Sequence, residues 1–351
     1  MSVPEQTGLG VGVLPRGPRN ALTDVPGVLV GHATVAEGEI QTGVTAIVPA
    51  PGSLFRQKLP VGCAVFNGFG KSMGLIQIQE KGTLETPIIL TGVSSAGALY
   101  DALFRRSMEE HPEICTTAGS VNPVVCECND TFLNDARAAA LGRAELDAAL
   151  AAASSDFRQG AVGAGRGMTC FGLKGGIGSA SRQVRIGART FTLGVLVNAN
   201  FCVMEHLVLG GRLAGPDVCR LTAEPDPGDE RESGSIILVL GTDAPLTARQ
   251  LTRVARRSFV GVGRTGSFVG DGSGDIALAF STAIRIPHEA PEDGLIRIPS
   301  IHEDWIDPLF QAAAEASQEA VVSALLCAEM VRGRAGHTRR ALRDLLPGLG
   351  L

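Results

Sequence analysis

Large rings are scarce in this sequence. One Trp, one Tyr and 13 Phe make up 4% of 351 residues. A core with so few aromatics must be filled by Ala, Val, Leu and Ile at close backbone approach, which 45 Gly permit. That composition suits tightly layered sheets and helices better than a loose bundle. There is no basic block, and the net charge is −5 with a pI near 5.7. The electrostatic footprint of nucleic-acid or anionic-membrane binding is therefore missing. No apolar run reaches the ~18–20 residues of a membrane-spanning helix. Met1 to Gln6 lack the basic and apolar regions of a signal peptide, so a soluble cytoplasmic protein is the expectation. The eight cysteines (Cys63, Cys115, Cys126, Cys128, Cys170, Cys202, Cys219 and Cys327) form no CxxC and have no His at ligand spacing. The six His are scattered and no HExxH occurs. These patterns predict reduced core thiols, with neither disulfides nor a metal site, and no cofactor is implied.

What is present centres on one junction. Ala223 to Glu232 is rich in Pro, Asp and Glu and reads as an exposed loop. Ile236-Ile237-Leu238-Val239-Leu240 is an unbroken aliphatic run and reads as a buried strand. Only Ser233-Gly234-Ser235 separates them. Cleavage of the Gly234–Ser235 bond would leave Ser235 as a chain terminus with both a hydroxyl and an α-amine. An α-amine titrates near pH ~8, so a nucleophile there carries its own base. Read by itself, Gly-Ser is equally a turn that closes a loop, since both residues are common in turns.

Elsewhere the pattern alternates between strands and helices. Val28–His32, Thr42–Val48, Cys63–Phe66, Thr86–Thr91, Val184–Ile186, Phe191–Val197 and Asp275–Ser281 read as strands. Ala96–Arg106, the Ala-rich Asp135–Ala153, Thr247–Ser258 with Thr247 as cap, and Asp307–Met330 with Pro308 in the first turn read as helices. Gly74–Ile78 reads as extended. No repeat and no long linker divides the chain, so a single layered α/β domain spanning 1–351 is the expectation, with 223–234 as its one candidate break.

Several short motifs bear on chemistry. Gly70-Lys71-Ser72-Met73-Gly74 matches GxSxG, but the extended reading after it denies Ser72 the strand-turn-helix context of a hydrolase elbow. Gly261 to Gly266 matches GxGxxG, yet follows a helix, so the dinucleotide fingerprint fails. Asn198-Ala199-Asn200 ends a strand, where an amide serves as an oxyanion donor or simply caps a turn. Gly272-Ser273-Gly274-Asp275 offers a hydroxyl and a carboxylate two residues apart, suited to holding an amine, or else a turn with an Asp cap. Asn134 or Asp135 is a helix cap. Glu127 either binds a cation or is solvated.

Taken together, these segments carry a resemblance. Asn20–Val28, Thr42–Ile47, Gly160–Met168, Lys174–Gly178, Gly234–Ile237 with Thr242–Leu246, and Gly272–Asp275 with Ala279–Thr282 resemble the self-processing serine aminopeptidases. This is the family of the D-aminopeptidase/esterase and β-peptidyl aminopeptidases (peptidase family S58, N-terminal-nucleophile hydrolases), and the likeness runs from about Asn20 to His337. The resemblance implies a four-layer α-β-β-α sandwich with mixed and antiparallel sheets. It implies cleavage at Gly234–Ser235 into an α chain, 1–234, and a β chain, 235–351. Ser235 is then nucleophile and base, Asn200 the oxyanion donor, and Ser273 and Asp275 the pair that orients the amine. Glu127 corresponds to an acid that receives the substrate's free N-terminus. Substrates are short peptides, amino-acid amides or esters, and the protein is a homo-oligomer of αβ units. One departure stands out. Where the family has Tyr in its Asn-Asp-Gly-Tyr-Leu-Asn-Asp stretch, this chain has Phe132, and Thr131 replaces Gly. The alternatives are an uncleaved, non-catalytic or acyl-transferring member, or a Ser72 esterase working as one chain.

Overall fold

The computed structural model describes residues 3–222 and 233–350; the acidic stretch from Ala223 to Glu232, read above as a loop, lies outside them. The strands of the two main sheets are β1 (Leu29–Glu37), β2 (Ile40–Val48), β3 (Gln57–Gly68), β4 (Ile88–Gly92), β5 (Val124–Cys128), β6 (Gly176–Ile186), β7 (Arg189–Phe201), β8 (Ser233–Thr242) and β9 (Gly272–Ser281). The principal helices are α1 (Leu75–Lys81), α2 (Ala96–Glu110), α3 (Arg143–Ala151), α4 (Gly215–Thr222), α5 (Ala248–Arg264) and α6 (Asp307–Cys327). The small sheet has the order β1-β2-β4-β5. The large sheet runs β3-β9-β8-β7-β6, with Ile286–Pro287 on the outer edge of β3. β8 and β9 are parallel, as are β4 and β5; the other neighbours are antiparallel.

Burial on both faces of each sheet dictates the layers. On β8, Ile236, Leu238 and Leu240 join the core beneath α5 and α6, while Ile237 and Val239 join the core between the sheets. Period-two alternation with apolar residues at every position is what a doubly covered strand requires. The inter-sheet core adds Val30, Ile47 and Leu90 from the small sheet. Its outer face, through Val44, Ala46 and Ile89, packs on Leu99 and Leu103 of α2 and Leu146 of α3. The result is the four-layer α-β-β-α sandwich. Small residues set the spacing: a Cβ on Gly178 of β6 would fall 1.9 Å from the Ala320 carbonyl oxygen of α6.

Local signals explain most element ends. Thr247 Oγ1 accepts from the Gln250 N–H, and Gln250 Oε1 accepts from the Thr247 N–H, a reciprocal cap that starts α5. Pro308 occupies the first turn of α6. That helix is buried almost all round, and its Glu315 and Glu319 are matched by the equally buried Arg182 at 3.0 and 2.6 Å.

Three sequence readings change. The helix expected over 135–153 begins only at Arg143; Ala136–Ala138 form a separate short turn, and Ala139 has φ of 47°. Asp135 spends its side chain on the Arg137 N–H and its backbone N–H on the Glu39 carbonyl, while Asn134 Oδ1 takes the Gln41 N–H. Such polar side-chain bonds compete with helix propagation and hold this stretch in a loop. Gly74–Ile78, read as extended, is instead the start of α1: Gly74 adopts a left-handed conformation, Ile78 is buried and Ile76 faces water. Finally, the strand read over Val184–Ile186 starts much earlier, β6 beginning at Gly176.

Candidate active site

β8 enters the large sheet at Ser233, and its register puts Ser235 opposite Asn200 of β7 on one side and Gly274 of β9 on the other. Ser235 is 3% exposed. Strand alternation turns it to the same face as Ile237, into the end of the gap between the sheets. Ser235 Oγ lies 2.6 Å from the carbonyl oxygen of Gly234. Gly234 has φ of 131°, and a Cβ there would fall 2.1 Å from the Asn200 carbonyl oxygen. Only glycine is accommodated at that position.

The Asn200 amide is fixed at both ends. Its Oδ1 accepts from the Thr169 N–H at 2.8 Å, which sets the flip, and Nδ2 donates to the Asn129 carbonyl at 2.9 Å. An amide nitrogen has two hydrogens, so a second donor remains for an oxygen arriving beside Ser235.

On the opposite side, Ser273 Oγ donates to Asp275 Oδ1 at 2.7 Å, and both residues are buried. They bracket Gly274, the register partner of Ser235. A β-bulge follows, between Asp275 and Ile276. The end of β5 contributes Glu127. Its Oε1 accepts from the Lys71 N–H at 2.7 Å, and its buried Oε2 has no partner among the described residues. The next residue, Cys128, donates to the carbonyls of Asn198 (3.5 Å) and Ser235 (3.6 Å). Burial, then the negative charges of Glu127 and Asp275, push its thiol well above the usual range, so it is a neutral core thiol and no nucleophile. Asp130 receives Thr42 Oγ1 and Asn134 Nδ2, and burial raises its carboxyl to about 6. A hydroxyl, an oriented amide donor, a hydroxyl–carboxylate pair and an underused buried carboxylate thus converge. That set suits acyl transfer from a substrate bearing a cationic end.

Known proteins show which family has this fold and sequence. The model of peptidase family S58 matches residues 20–339. The chain belongs to peptidase family S58. A β-peptidyl aminopeptidase of Sphingosinicella xenopeptidilytica is 38% identical over 339 residues, which cover 90% of this chain and 83% of that protein. Among solved structures, the PH0078 protein from Pyrococcus horikoshii OT3 superposes with a TM-score of 0.92 at 45% identity, over 99% of this chain and 98% of that one. The L-aminopeptidase D-Ala-esterase/amidase of Ochrobactrum anthropi, described as a prototype for the serine aminopeptidases and a variant of the Ntn-hydrolase fold, superposes with a TM-score of 0.87 at 33% identity, over 97% and 98%. The chain is therefore a hydrolase of a peptidase family whose relatives are aminopeptidases.

Other candidates in this S58 chain take different places. Ser72 does stand between a strand and a helix, yet its buried Oγ meets the Cys126 thiol and no imidazole. Its loop serves as a wall instead: Lys71 N–H holds Glu127, and Gly274 packs against the Phe69 carbonyl and Gly70. Phe132 is half-buried, stacked on His337 at 4.5 Å with the Arg339 guanidinium 3.8 Å from its ring centre. Among the described residues, no cluster of His, Cys, Asp and Glu is arranged to hold a metal, and no helix is long and apolar enough to cross a membrane. Sequence reasoning missed Thr169 and the Phe69–Lys71 wall. The wall acts through backbone groups and Thr169 chiefly through its N–H, its Oγ1 lying 3.5 Å from the same Asn200 Oδ1, so little of either shows in a side-chain pattern.

Proposed function

We propose that this protein is a self-cleaving N-terminal-serine aminopeptidase that acts through an acyl-enzyme on Ser235. The observation that carries the reading is Ser235 Oγ at 2.6 Å from the Gly234 carbonyl oxygen, with Asn200 opposite in register.

Two phases follow. In the precursor, Ser235 Oγ attacks the Gly234 carbonyl carbon. The Oγ proton passes to the departing Ser235 nitrogen as the peptide bond breaks and an ester forms. Gly234 adopts a backbone region closed to other residues, which lets its carbonyl sit beside Ser235 Oγ. Water then opens the ester, which leaves an α chain of 1–234 and a β chain of 235–351 held as one domain. In the mature enzyme the Ser235 α-amine takes the Oγ proton as Oγ attacks the acyl carbonyl of the substrate's N-terminal residue. Nδ2 of Asn200 binds the resulting oxyanion. The α-amine hands the proton to the leaving amine, and water releases the acyl group. Ser273 and Asp275 orient the α-amine and stabilise its protonated form. Glu127 Oε2 binds the substrate's ammonium, and Phe132 forms part of the substrate-side wall.

Short peptides, amino-acid amides and esters are the substrate class. An acyl-enzyme also permits transfer to a second amine. The composition favours a cytoplasmic protein, and the family likeness a homo-oligomer of αβ units. The test is Ser235→Ala, which gives a single uncut chain without amidase activity; processing that survives the substitution moves the nucleophile elsewhere.

A further inference from the structure

We propose that Lys174 is a positioning residue of the oxyanion site: it fixes and polarises the Met168–Thr169 peptide group, which in turn orients and polarises the Asn200 amide. The inference rests on the oxyanion role proposed for Asn200.

Lys174 is fully buried, which is rare for a lysine. Its Nζ donates to three backbone carbonyls, those of Met168 at 2.6 Å, Gly165 at 2.8 Å and Gly175 at 2.9 Å. Three acceptors match the three hydrogens of an ammonium and exceed the two of a neutral amine. Burial, then the positive charge of Arg166, pull this group well below the ordinary lysine range, and the acids Glu329 and Asp130 are among the groups that oppose that pull. The three carbonyl dipoles give the charge the solvation that the core withholds.

The shortest of the three bonds reaches the site. The Met168 carbonyl and the Thr169 N–H belong to one peptide group. Lys174 draws electron density toward the carbonyl oxygen, which makes the N–H on the other side a stronger donor. That N–H bonds Asn200 Oδ1 at 2.8 Å. The Asn200 side chain is itself an amide, so the same polarisation passes from its Oδ1 to the Nδ2 hydrogens. One of these holds the Asn129 carbonyl, and the other is left for the oxygen that becomes charged in the proposed mechanism. Two amides in series, headed by an ammonium, are a hydrogen-bond chain whose links strengthen one another, by about 10–30% per bond in condensed-phase estimates. The loop that carries Met168 is pinned elsewhere: a Cβ on Gly175 would fall 2.3 Å from the Ala199 carbonyl oxygen, and one on Gly167 would fall 2.3 Å from that of Gln41. The relay is therefore held as a rigid unit against β7, the strand that presents Asn200.

The experiment compares Lys174→Met with Asn200→Ala and the wild type, all as purified, processed protein. Turnover is measured on an amino-acid p-nitroanilide. Binding is measured for an amino aldehyde, which forms an oxyanion on the nucleophile, and for the matching alcohol, which cannot. For Lys174→Met we expect kcat to fall about 10-fold with KM unchanged, and aldehyde affinity to fall by the same factor while alcohol affinity holds. A folded Lys174→Met enzyme with kcat within about twofold of wild type overturns the proposal, as does an equal loss of aldehyde and alcohol affinity, the mark of a merely structural role. If Asn200→Ala leaves kcat unchanged, the oxyanion assignment itself fails, an outcome distinct from failure of Lys174 alone. Should Lys174→Met not fold, replacing Thr169 by its α-hydroxy analogue breaks the relay at that peptide group with both side chains kept: the N–H is lost, and the ester carbonyl of Met168 is a weaker acceptor for Lys174. The same fall in kcat then supports the relay, and unchanged kcat overturns it.

Discussion

Replacing Gly234 with Ala separates self-cleavage from turnover. The added Cβ would sit 2.1 Å from the Asn200 carbonyl oxygen and 2.9 Å from Phe201 Cα, both backbone atoms of the neighbouring strand. No side-chain rotation relieves that overlap, so the Gly234 carbonyl must move by about 1 Å, and φ of 131° adds about 1–3 kcal/mol of strain for a residue with a Cβ. A displacement of about 1 Å between reacting atoms costs on the order of 100-fold in rate. Ser235 Oγ now sits 2.6 Å from that carbonyl's oxygen. Gly234→Ala should therefore slow maturation about 100-fold, read as the conversion of purified precursor to two chains on a denaturing gel. Once the bond is cut, the substituted residue is a chain end and can leave the strand. Turnover per processed molecule should then equal wild type. Processing at the wild-type rate would refute the role given to this geometry, and so would a processed variant with a lasting defect in kcat.

Two further outcomes follow from the site's surroundings. The Asp130 carboxyl is raised by burial from 3.8 to about 6, so the folded state holds its proton more tightly than the unfolded chain. Its stabilising contribution is complete below pH 3.8 and is lost as pH rises through about 6, on the order of 3 kcal/mol in all. Urea midpoints of wild type minus Asp130→Asn should fall across that window and level off above it; a difference independent of pH contradicts the assignment. Phe132→Tyr should raise amidase kcat without loss of thermal stability, by up to about 100-fold if the new hydroxyl reaches the reacting oxygen. Unchanged kcat makes the departure from the family's Tyr neutral, the ring serving through its stack with His337 and Arg339.

The sequence was most informative where local chemistry decides the outcome. Ile236 to Leu240 had no alternative to a doubly buried strand, and Thr247 with Gln250, or Pro308 in a first turn, mark helix starts through bonds made within four residues. It was less informative where distant partners intervene. The Ala-rich 135–153 stretch has helical propensity on either side of Gly142, yet Glu39 claims Asp135, and Gln41 and Asp130 claim the adjoining Asn134, so its first residues form a loop and the helix starts after Gly142. Leu75 to Ile78 carries both a strand-like and a helix-like apolar pattern, and packing of Ile78 selects the helix. Among the proposed site residues, Ser235, Asn200, Ser273 and Asp275 were named through resemblance. Their register was not, because β7, β8 and β9 are far apart in the chain. Lys174 was visible only as a lysine among glycines; its bearing on Asn200 runs through a peptide group, which no side-chain pattern encodes.

The central claim is that the Gly234–Ser235 bond is cut and that Ser235 acts as a free N-terminus. An intact mass of the denatured, purified protein tests it directly. Two chains are expected, the smaller one starting at Ser235. A single mass of 36.4 kDa, together with amidase activity, would contradict the claim.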